Sequence, residues 1–271
     1  LKLESVDDYW AYIQASPVEL DELYKTVLIG VTGFFRDDKA FEALKKYLRQ
    51  ILDQKEPGEG VRIWSVGCAT GEEAYSIAIL LEEILEERKE DHQVQIFATD
   101  VGEYALNIGR KGYYTHEQIQ DMPRDLLRKY FTTAPNGYEI KKHIRQMVLF
   151  SKHDITVDPP FVRLDLLSCR NLLIYFDQKL QKEIFPVFHY ALQEGGYLLL
   201  GKSENVSDQT DLFGKMDSKQ KIFLRKKGAQ NTLKFSKFRK SKTADKDAPP
   251  QPRPELSVEQ IAEQTLVKTF E

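Results

Sequence analysis

The first fifty residues carry apolar side chains at the spacing of helices. Phe41, Leu44, Leu48 and Ile51 follow one another at intervals of three or four residues, which places them on one face of a helix. The same spacing occurs earlier, at Leu20, Leu23, Tyr24, Val27 and Leu28. We therefore predict a small N-terminal helical region over residues 1–54, ended by a glycine-containing, charged segment.

From residue 61 onward, short segments rich in β-branched residues alternate with longer segments of helical periodicity. The short segments 61–67, 94–100, 163–170 and 195–201 predict strands, and the segments 72–88, 103–110 and 177–193 predict helices. Strand–helix–strand units make successive strands parallel and cover both faces with helices. The predicted fold class is therefore α/β, with a doubly wound, mostly parallel sheet over residues 55–228.

One segment interrupts this alternation. An Asn-Gly dipeptide, Asn136–Gly137, lies between short runs of β-branched and aromatic residues, which is typical of a β-hairpin. We predict an inserted antiparallel β-subdomain at about residues 124–152. After the domain, the basic and proline-rich residues 229–254 predict a linker, and residues 255–271 predict the start of a helix that leads to a further domain. The chain is thus expected to be a piece of a longer polypeptide.

Composition excludes several classes of protein. The chain has 271 residues, 41% of them hydrophobic and 30% charged, with a net charge of -3. It is long enough to bury a core and has no apolar run of about 18 residues, so we expect no membrane insertion. The near balance of charge argues against a dedicated nucleic-acid partner. Cys68 and Cys169 have no metal or redox spacing and the histidines are scattered, so we predict no metal site and a reducing, cytoplasmic compartment.

The first predicted strand ends in a glycine turn that opens a helix. Gly67 and Gly71 lie in this turn, and such a turn lets a ligand approach backbone N–H groups. A phosphate-binding loop would continue with Lys and then Ser or Thr, and a dinucleotide fingerprint would carry a third glycine. Here Glu72 and Glu73 follow instead, and their charges would repel phosphates. A cationic nucleoside such as S-adenosylmethionine fits this turn better.

Asp100 ends the second predicted strand. A carboxylate at this place in a doubly wound fold can accept hydrogen bonds from both ribose hydroxyls. The alternative is purely structural: Glu72 and Glu73 would complement the helix dipole, and Asp100 would cap the next helix. The occurrence of these acids on consecutive strand–helix units favours the cofactor.

Four strings make a more specific comparison possible. They are VTGFFRD at 31–37, GCATGEEAYSIAI at 67–79, CRNLLIYFD at 169–177 and GKSEN at 201–205. In order and spacing they resemble the CheR family of chemoreceptor glutamate methyltransferases, from about Tyr24 to Leu224. The resemblance implies a class I S-adenosylmethionine-dependent methyltransferase fold and methyl transfer to the γ-carboxylate of receptor glutamates, with S-adenosylhomocysteine as product. The chain is most similar to members embedded in longer CheB/CheR-type hybrids.

The resemblance also implies roles for individual residues. The candidate cofactor-binding residues are Thr32, Arg36, Gly67, Glu73, Asp100, Asp154, Ile155, Cys169 and Arg170. Arg36 and Tyr175 resemble the pair beside the transferred methyl and are the candidate catalytic residues. The alternative for Arg36 is a surface ion pair with Asp37 or Asp38. The alternative for Tyr175 is core packing, which we favour for Phe176, Phe34 and Phe35.

The implied reaction needs little acid–base chemistry. Glutamate has a pKa of about 4.3 and is already ionised at neutral pH, so the acceptor needs no strong general base. The expected partner is the cytoplasmic domain of a methyl-accepting chemoreceptor or a similar signalling protein. An alternative function is a regulatory module of a hybrid signalling protein that binds S-adenosylmethionine or S-adenosylhomocysteine without methyl transfer.

Overall fold

The computed structural model describes residues 5–16, 18–19, 23, 32–56, 58–206 and 209–228. All of them belong to the first of the two units into which the chain divides, Leu1–Leu233. The predicted helical positions Leu20, Tyr24, Val27 and Leu28, the predicted linker and the predicted C-terminal helix lie outside the described residues.

The described residues form seven helices, three of which begin at or within one residue of the predicted positions 72, 103 and 177. The helices are α1 (Val6–Ala15), α2 (Asp38–Asp53), α3 (Glu72–Arg88), α4 (Glu103–Lys111), α5 (Arg124–Tyr130), α6 (Lys142–Gln146) and α7 (Gln178–Ala191). Ser5 is the N-cap of α1, and its side chain accepts a hydrogen bond from the Asp8 N–H at 3.1 Å. Helix α2 buries the apolar face that contains Phe41 and Leu44, as predicted.

Seven strands form the large sheet. They are β1 (Val61–Val66), β2 (Val94–Asp100), β6 (Val148–Lys152), β7 (Leu164–Cys169), β8 (Leu192–Leu200), β9 (Phe213–Asp217) and β10 (Ile222–Arg225). Their order is β6-β2-β1-β7-β8-β10-β9. The first five are mutually parallel, whereas β10 is antiparallel to both of its neighbours. The predicted fold class, a doubly wound and mostly parallel sheet, is confirmed.

The sheet has an apolar core on each face. Ile63 of β1 belongs to one core, with α2 and α3, whereas the next residue, Trp64, belongs to the other, with α7. This alternation follows from the two-residue period of a strand and explains why β1 and β7 are buried along almost their whole length.

The strand order reverses beside β1. From β1 the chain moves outward to β2 and β6, and it then returns to β7 on the other side of β1. Val66 and Cys169 pair in register at the ends of these two strands, so the loops that begin at Gly67 and Arg170 leave the sheet side by side and diverge. Open α/β sheets bind ligands at such a crevice.

A second, smaller sheet confirms the predicted antiparallel subdomain. Its strands are β3 (Tyr113–Thr115), β4 (Phe131–Ala134) and β5 (Gly137–Ile140), in the order β3-β5-β4. The turn of the hairpin consists of Pro135 and Asn136, and Gly137 already pairs with Ala134. Glycine is needed at 137 for a different reason than a turn, because a Cβ there would overlap the Tyr114 carbonyl oxygen of β3.

The bounds predicted for this insert, 124–152, need correction at both ends. Strand β3 joins the small sheet from before residue 124, and β6 pairs in parallel with β2 at the edge of the large sheet. The alternation in β6 of buried Val148, exposed Leu149 and buried Phe150 is typical of any half-buried strand. The sequence pattern therefore gave no sign of which sheet β6 would join.

Candidate functional site

A cleft lies at the crevice between β1 and β7. Three segments line it: Thr32, Gly33 and Arg36 from the N-terminal part, Gly67, Cys68, Ala69 and Glu73 from the glycine loop and α3, and Arg170 and Asn171 after β7. The structure thus brings together Thr32, Arg36, Gly67, Glu73 and Arg170, all predicted to be site residues. They come from segments more than thirty residues apart in the chain.

The glycine loop adopts a conformation that few other residues could adopt. Gly67 and Gly71 have φ values of 66° and 96°. A Cβ on Gly67 would lie 3.1 Å from Leu172 Cδ2, and a Cβ on Gly71 would lie 2.7 Å from Phe150 Cζ. The glycines are therefore required both by backbone geometry and by close packing against the loop after β7 and against β6.

Asp100 fixes this loop from the neighbouring strand. Its Oδ2 accepts the Ala69 N–H at 2.9 Å, and its Oδ1 accepts the Gly102 N–H at 2.8 Å, directly before α4. Asp100 therefore stabilises the turn before α4, but it is not the cap of that helix: the N-cap residue is Gly102, and no side chain caps it. Each carboxylate oxygen has a further lone pair, so the same side chain can also accept hydrogen bonds from two ribose hydroxyls.

Glu73 faces the ends of β1 and β7. Its Oε1 accepts hydrogen bonds from Ser65 Oγ at 3.1 Å and Ser168 Oγ at 2.7 Å, and its Oε2 lies 3.3 Å from Arg170 Nη1. Ser65 and Ser168 pair in register across the two strands. Glu73 therefore binds both strands to α3 at the wall of the cleft.

Arg170 extends this contact to the N-terminal segment. Its Nη2 donates to Asp37 Oδ2 at 2.7 Å and to the Arg36 carbonyl oxygen at 2.9 Å. Asp37 also forms an ion pair with Lys202. Burial raises the pKa of the Asp37 carboxyl, but the hydrogen bond of Lys202 and the charge of Arg170 outweigh it and leave that pKa below its ordinary value. The charges of Glu73, Arg170, Asp37 and Lys202 alternate in sign and connect the three walls.

Phe34 and Phe35 hold the N-terminal segment in place. Phe34 is buried, with its ring centroid 4.9 Å from that of Tyr114 and 5.4 Å from that of Phe131, both in the small sheet. The Phe35 N–H donates to Ser76 Oγ on α3 at 2.9 Å. Both rings pack in or against the core, as we predicted. The Arg36 side chain, by contrast, is exposed at the cleft.

Asp154 and Ile155 follow β6 and do not line the cleft. The His153 N–H donates to the Asp100 carbonyl oxygen at 3.0 Å, which brings this segment beside the end of β2. Asp154 Oδ1 accepts hydrogen bonds from the Thr156 N–H and hydroxyl, at 2.9 and 2.6 Å, and Ile155 is buried. The carboxylate of Asp154 therefore shapes its own turn.

Tyr175 lies in a 3₁₀ turn, Leu173–Tyr175, after β7. Its side chain is 69% exposed, which excludes the core-packing alternative, and it lies outside the lining of the cleft. Phe176 packs against the core, as predicted. Cys68 and Cys169 are buried, and burial, with nearby carboxylates, raises the pKa of both thiols well above the ordinary value. At neutral pH they are protonated and have no nucleophilic role.

Sequence reasoning missed several residues that shape the cleft. Asp37 was considered only as a partner for Arg36, and Ser65 and Ser168 were not considered. Glu204 was part of the GKSEN string but received no role, although it is buried at 4% exposure. A glutamate directly after an apolar strand within a signature string was the available signal. Among the described residues, no group of three or more potential ligands is arranged to hold a metal.

The residues present fit S-adenosylmethionine. The cleft offers an N–H-bearing glycine loop, and the carboxylates of Asp100 and Glu73 lie at the two sides of that loop. The Nε of Arg170 is buried and has no hydrogen-bond partner within the described part of the chain. Such an atom needs an acceptor, and a ligand carboxylate would supply one.

Comparison with known proteins identifies the family. Residues 30–222 match the family model described as CheR methyltransferase, SAM binding domain. A chemotaxis protein methyltransferase of Borreliella burgdorferi is 32% identical over 78% of this chain and 79% of its own length, and chemotaxis protein methyltransferase 2 of Vibrio cholerae is 32% identical over 78% and 75%. An uncharacterized 104.1 kDa protein of Rhodobacter capsulatus is 36% identical over 82% of this chain, which spans only 24% of that protein.

The strand order of the sheet, the position of the cleft and the sequence similarity all indicate the same methyltransferase fold. None of the described helices is long and apolar enough to cross a bilayer. The predicted cofactor and the predicted methyltransferase fold are confirmed by the match to the family's S-adenosylmethionine-binding domain. The chain belongs to the CheR methyltransferase family and carries its S-adenosylmethionine-binding domain.

Proposed function

We propose that this domain transfers a methyl group from S-adenosylmethionine to the γ-carboxylate of glutamate side chains in the cytoplasmic domain of a chemoreceptor-type protein. The products are a glutamate methyl ester and S-adenosylhomocysteine. The observation that carries the proposal is the meeting of Thr32 and Arg36, the glycine loop and Arg170 in one cleft at the carboxyl edge of the sheet. The names of the Borreliella and Vibrio relatives, chemotaxis protein methyltransferases, support the acceptor class.

The protein's main task in this reaction is alignment. The bound cofactor supplies an electrophilic methyl group. An ionised acceptor carboxylate attacks without a general base, provided that it is held in line at about 3–3.5 Å. We assign the orientation of this carboxylate to Arg36, whose exposed guanidinium can donate two parallel hydrogen bonds. Tyr175, exposed on the adjacent turn, is assigned the second contact to the reacting groups.

The remaining proposed residues hold the cofactor. Asp100 accepts from the ribose hydroxyls, while the loop at Gly67 presents its backbone. Glu73 and Arg170 form one wall through their mutual hydrogen bond. Thr32, which lines the cleft, belongs to the proposed set. Asp154 and Ile155, beside the end of β2 and outside that lining, complete it. Cys169 is fully buried at the end of β7, directly before Arg170, so we assign it a place behind the wall of the cleft.

We further propose that the module works within a longer signalling protein. The support is the Rhodobacter relative of 104.1 kDa, of which this chain spans only 24%. Covalent linkage to sensory or regulatory domains would control access of the acceptor to the cleft.

A two-step experiment tests the function. Calorimetric titration with S-adenosylhomocysteine should give saturable one-to-one binding. Incubation with methyl-labelled S-adenosylmethionine and the cytoplasmic fragment of a receptor from the same organism should then give label that alkali releases as methanol. Arg36→Ala should lower this transfer by at least about 100-fold while its circular dichroism spectrum is retained. Arg128→Ala is the matched control, because Arg128 is an exposed arginine paired only locally with Asp125.

The outcomes separate the assignments. Normal transfer by Arg36→Ala would contradict the active-site assignment. If the wild-type protein bound S-adenosylhomocysteine saturably but transferred no methyl group to any receptor of its organism, the proposed enzymatic activity would be contradicted. That result would favour the alternative, a regulatory module that binds the cofactor or its product.

A further inference from the structure

The carboxylate of Glu204 accepts four backbone hydrogen bonds at the carboxyl end of β8. Oε2 accepts the N–H groups of Gly201 at 2.6 Å and Asn171 at 3.1 Å. Oε1 accepts those of Leu172 at 2.9 Å and Leu173 at 2.8 Å. The residue is 4% exposed. A buried carboxylate with all four of these acceptor sites engaged fixes the backbone that donates to it.

The backbone held by Glu204 is the turn that leaves β7. Asn171 has a φ of 58°, in the left-handed region, and the chain then enters the 3₁₀ turn that ends at Tyr175. Three consecutive N–H groups, of residues 171–173, point at one carboxylate and have no strand or helix to bind them. The charge of Glu204 stabilises this otherwise unfavourable conformation.

Close packing shows that the arrangement leaves no room for adjustment. A Cβ on Gly201 would lie 2.8 Å from Glu204 Oε2 and 3.0 Å from the Asn171 nitrogen. Only glycine at 201 allows the three groups to meet. On its other side the same turn packs on the glycine loop, since a Cβ on Gly67 would lie 3.1 Å from Leu172 Cδ2.

The turn contributes Asn171 to the lining of the cleft. Tyr175 stands exposed outside that lining, two residues after the last held amide. We propose that Glu204 is a positioning residue for methyl transfer: its carboxylate fixes residues 171–173 so that Tyr175 meets the reacting groups. This inference rests on the proposed function, because it gives Tyr175 a role in the reaction.

The variant Glu204→Gln tests the inference. Its single carbonyl oxygen can satisfy only one pair of the amides, and its NH₂ group faces the other pair. We expect hydrogen exchange at the amides of residues 171–173 to become at least about tenfold faster, with exchange in β1 and β2 unchanged. We expect kcat per folded molecule to fall at least about tenfold. Glu194→Gln, at the exposed start of the same strand, is the matched control and should change neither quantity.

A double-mutant cycle distinguishes positioning from a general loss of stability. If Glu204 acts through Tyr175, the effect of Glu204→Gln on kcat should shrink to less than about twofold in the Tyr175→Phe background. Glu204→Asp keeps the charge on a shorter side chain, so it should give intermediate exchange rates and an intermediate kcat. This variant replaces Glu204→Gln in the test if Glu204→Gln does not fold.

Failure of this inference can be told from failure of the proposed function. Three results with an active wild-type protein would each overturn the positioning role alone. They are a Glu204→Gln variant as active as wild type, unchanged hydrogen exchange at residues 171–173, and additive effects of the two substitutions in the double-mutant cycle. An inactive wild-type protein that still binds S-adenosylhomocysteine would overturn the proposed transfer and this inference with it.

Discussion

Asp37 and Arg170 lie 133 residues apart in the chain, and Asp37 Oδ2 accepts a hydrogen bond from Arg170 Nη2 at 2.7 Å. The Arg170 side chain is 2% exposed and that of Asp37 is 18% exposed. Because Arg170 also contacts Glu73 on α3, this pair connects the N-terminal segment to the sheet at the cleft. The order of the site therefore depends on an ion pair that water screens only weakly.

Asp37→Asn should destabilise the protein strongly. The substitution keeps the shape but leaves the buried Arg170 guanidinium without its nearest counter-charge, which we expect to lower the free energy of unfolding by about 3 kcal/mol. Asp125→Asn removes half of the exposed Asp125–Arg128 pair and should change it by no more than about 0.5 kcal/mol. Urea denaturation of the two variants measures both values. If both substitutions lowered the free energy of unfolding equally, the buried ion pair would stabilise the protein no more than the exposed one.

The same pair predicts a dependence on pH. Since the pKa of Asp37 is lowered in the folded protein, its contribution to stability is present above the ordinary pKa of about 3.9 and is lost as the pH falls through the folded value. The stability difference between wild type and Asp37→Asn should therefore be constant near neutral pH and shrink below pH of about 3.9. A difference that shrinks instead between pH 7 and 5 would contradict this assignment.

Asp100→Asn tests the cofactor pose. In the structure the carboxylate holds Ala69 and Gly102, and in the proposed complex it also accepts from the ribose. We expect the free energy of binding of S-adenosylhomocysteine, measured by calorimetry, to become less favourable by roughly 2–4 kcal/mol. Because the substitution also loosens the loop, methionine analogues without the ribose serve as the control and should lose much less affinity. An unchanged affinity would place the ribose elsewhere.

Much of the fold was predictable because its central elements bury long apolar runs. The predicted bounds of α3 and β2, 72–88 and 94–100, agree with the structure. The strands β9 and β10 were not predicted. Strand β9 contains Gly214, Lys215 and an exposed Met216, so it lacks an apolar run, and its pairing with β10 comes from tertiary context.

Part of the lining of the cleft was predictable, but the contacts within it were not. Parallel strands place their carboxyl ends at one edge, so residues after β1, β2 and β7 had to be neighbours. The partners of Glu73 depend on the register that sets Ser65 opposite Ser168. Three of the four donors to Glu204 belong to a turn 31 to 33 residues away. Neither register nor backbone direction is encoded in a local pattern.

Two glycines with positive φ separate the effect of strain from that of packing. Gly71 has a φ of 96° and no room for a Cβ beside the Phe150 ring, whereas Gly58 has a φ of 81° and nothing within 4 Å. Gly58→Ala should lower the free energy of unfolding by about 1 kcal/mol through backbone strain alone. Gly71→Ala should lower it by about 1–3 kcal/mol more, because Phe150 must move. Equal losses in thermal or urea unfolding would mean that Phe150 adapts freely.

Glu72, the neighbour of Glu73, lies in a different environment. We therefore expect it to give the stability of the protein a different dependence on pH. Its side chain is 1% exposed, and both of its oxygens accept from the single hydroxyl of Thr70, at 2.7 and 2.6 Å. Burial raises the pKa of this carboxyl, and the hydrogen bond from Thr70 offsets the shift only in part. The folded protein therefore retains a proton on Glu72 at pH values at which the unfolded chain has released it.

Stability linked to Glu72 is thus fully present below the unfolded pKa of about 4.3 and is lost as the pH rises through the folded value. Glu72→Gln removes this dependence, so the variant should gain stability relative to wild type between pH 4 and pH 7. Thr70→Val removes the hydroxyl that favours the ionised form, and it should make the loss of stability with rising pH larger than in wild type. Unfolding measured at several pH values checks both, and a Glu72→Gln curve parallel to that of wild type would show that folding does not shift the pKa of Glu72.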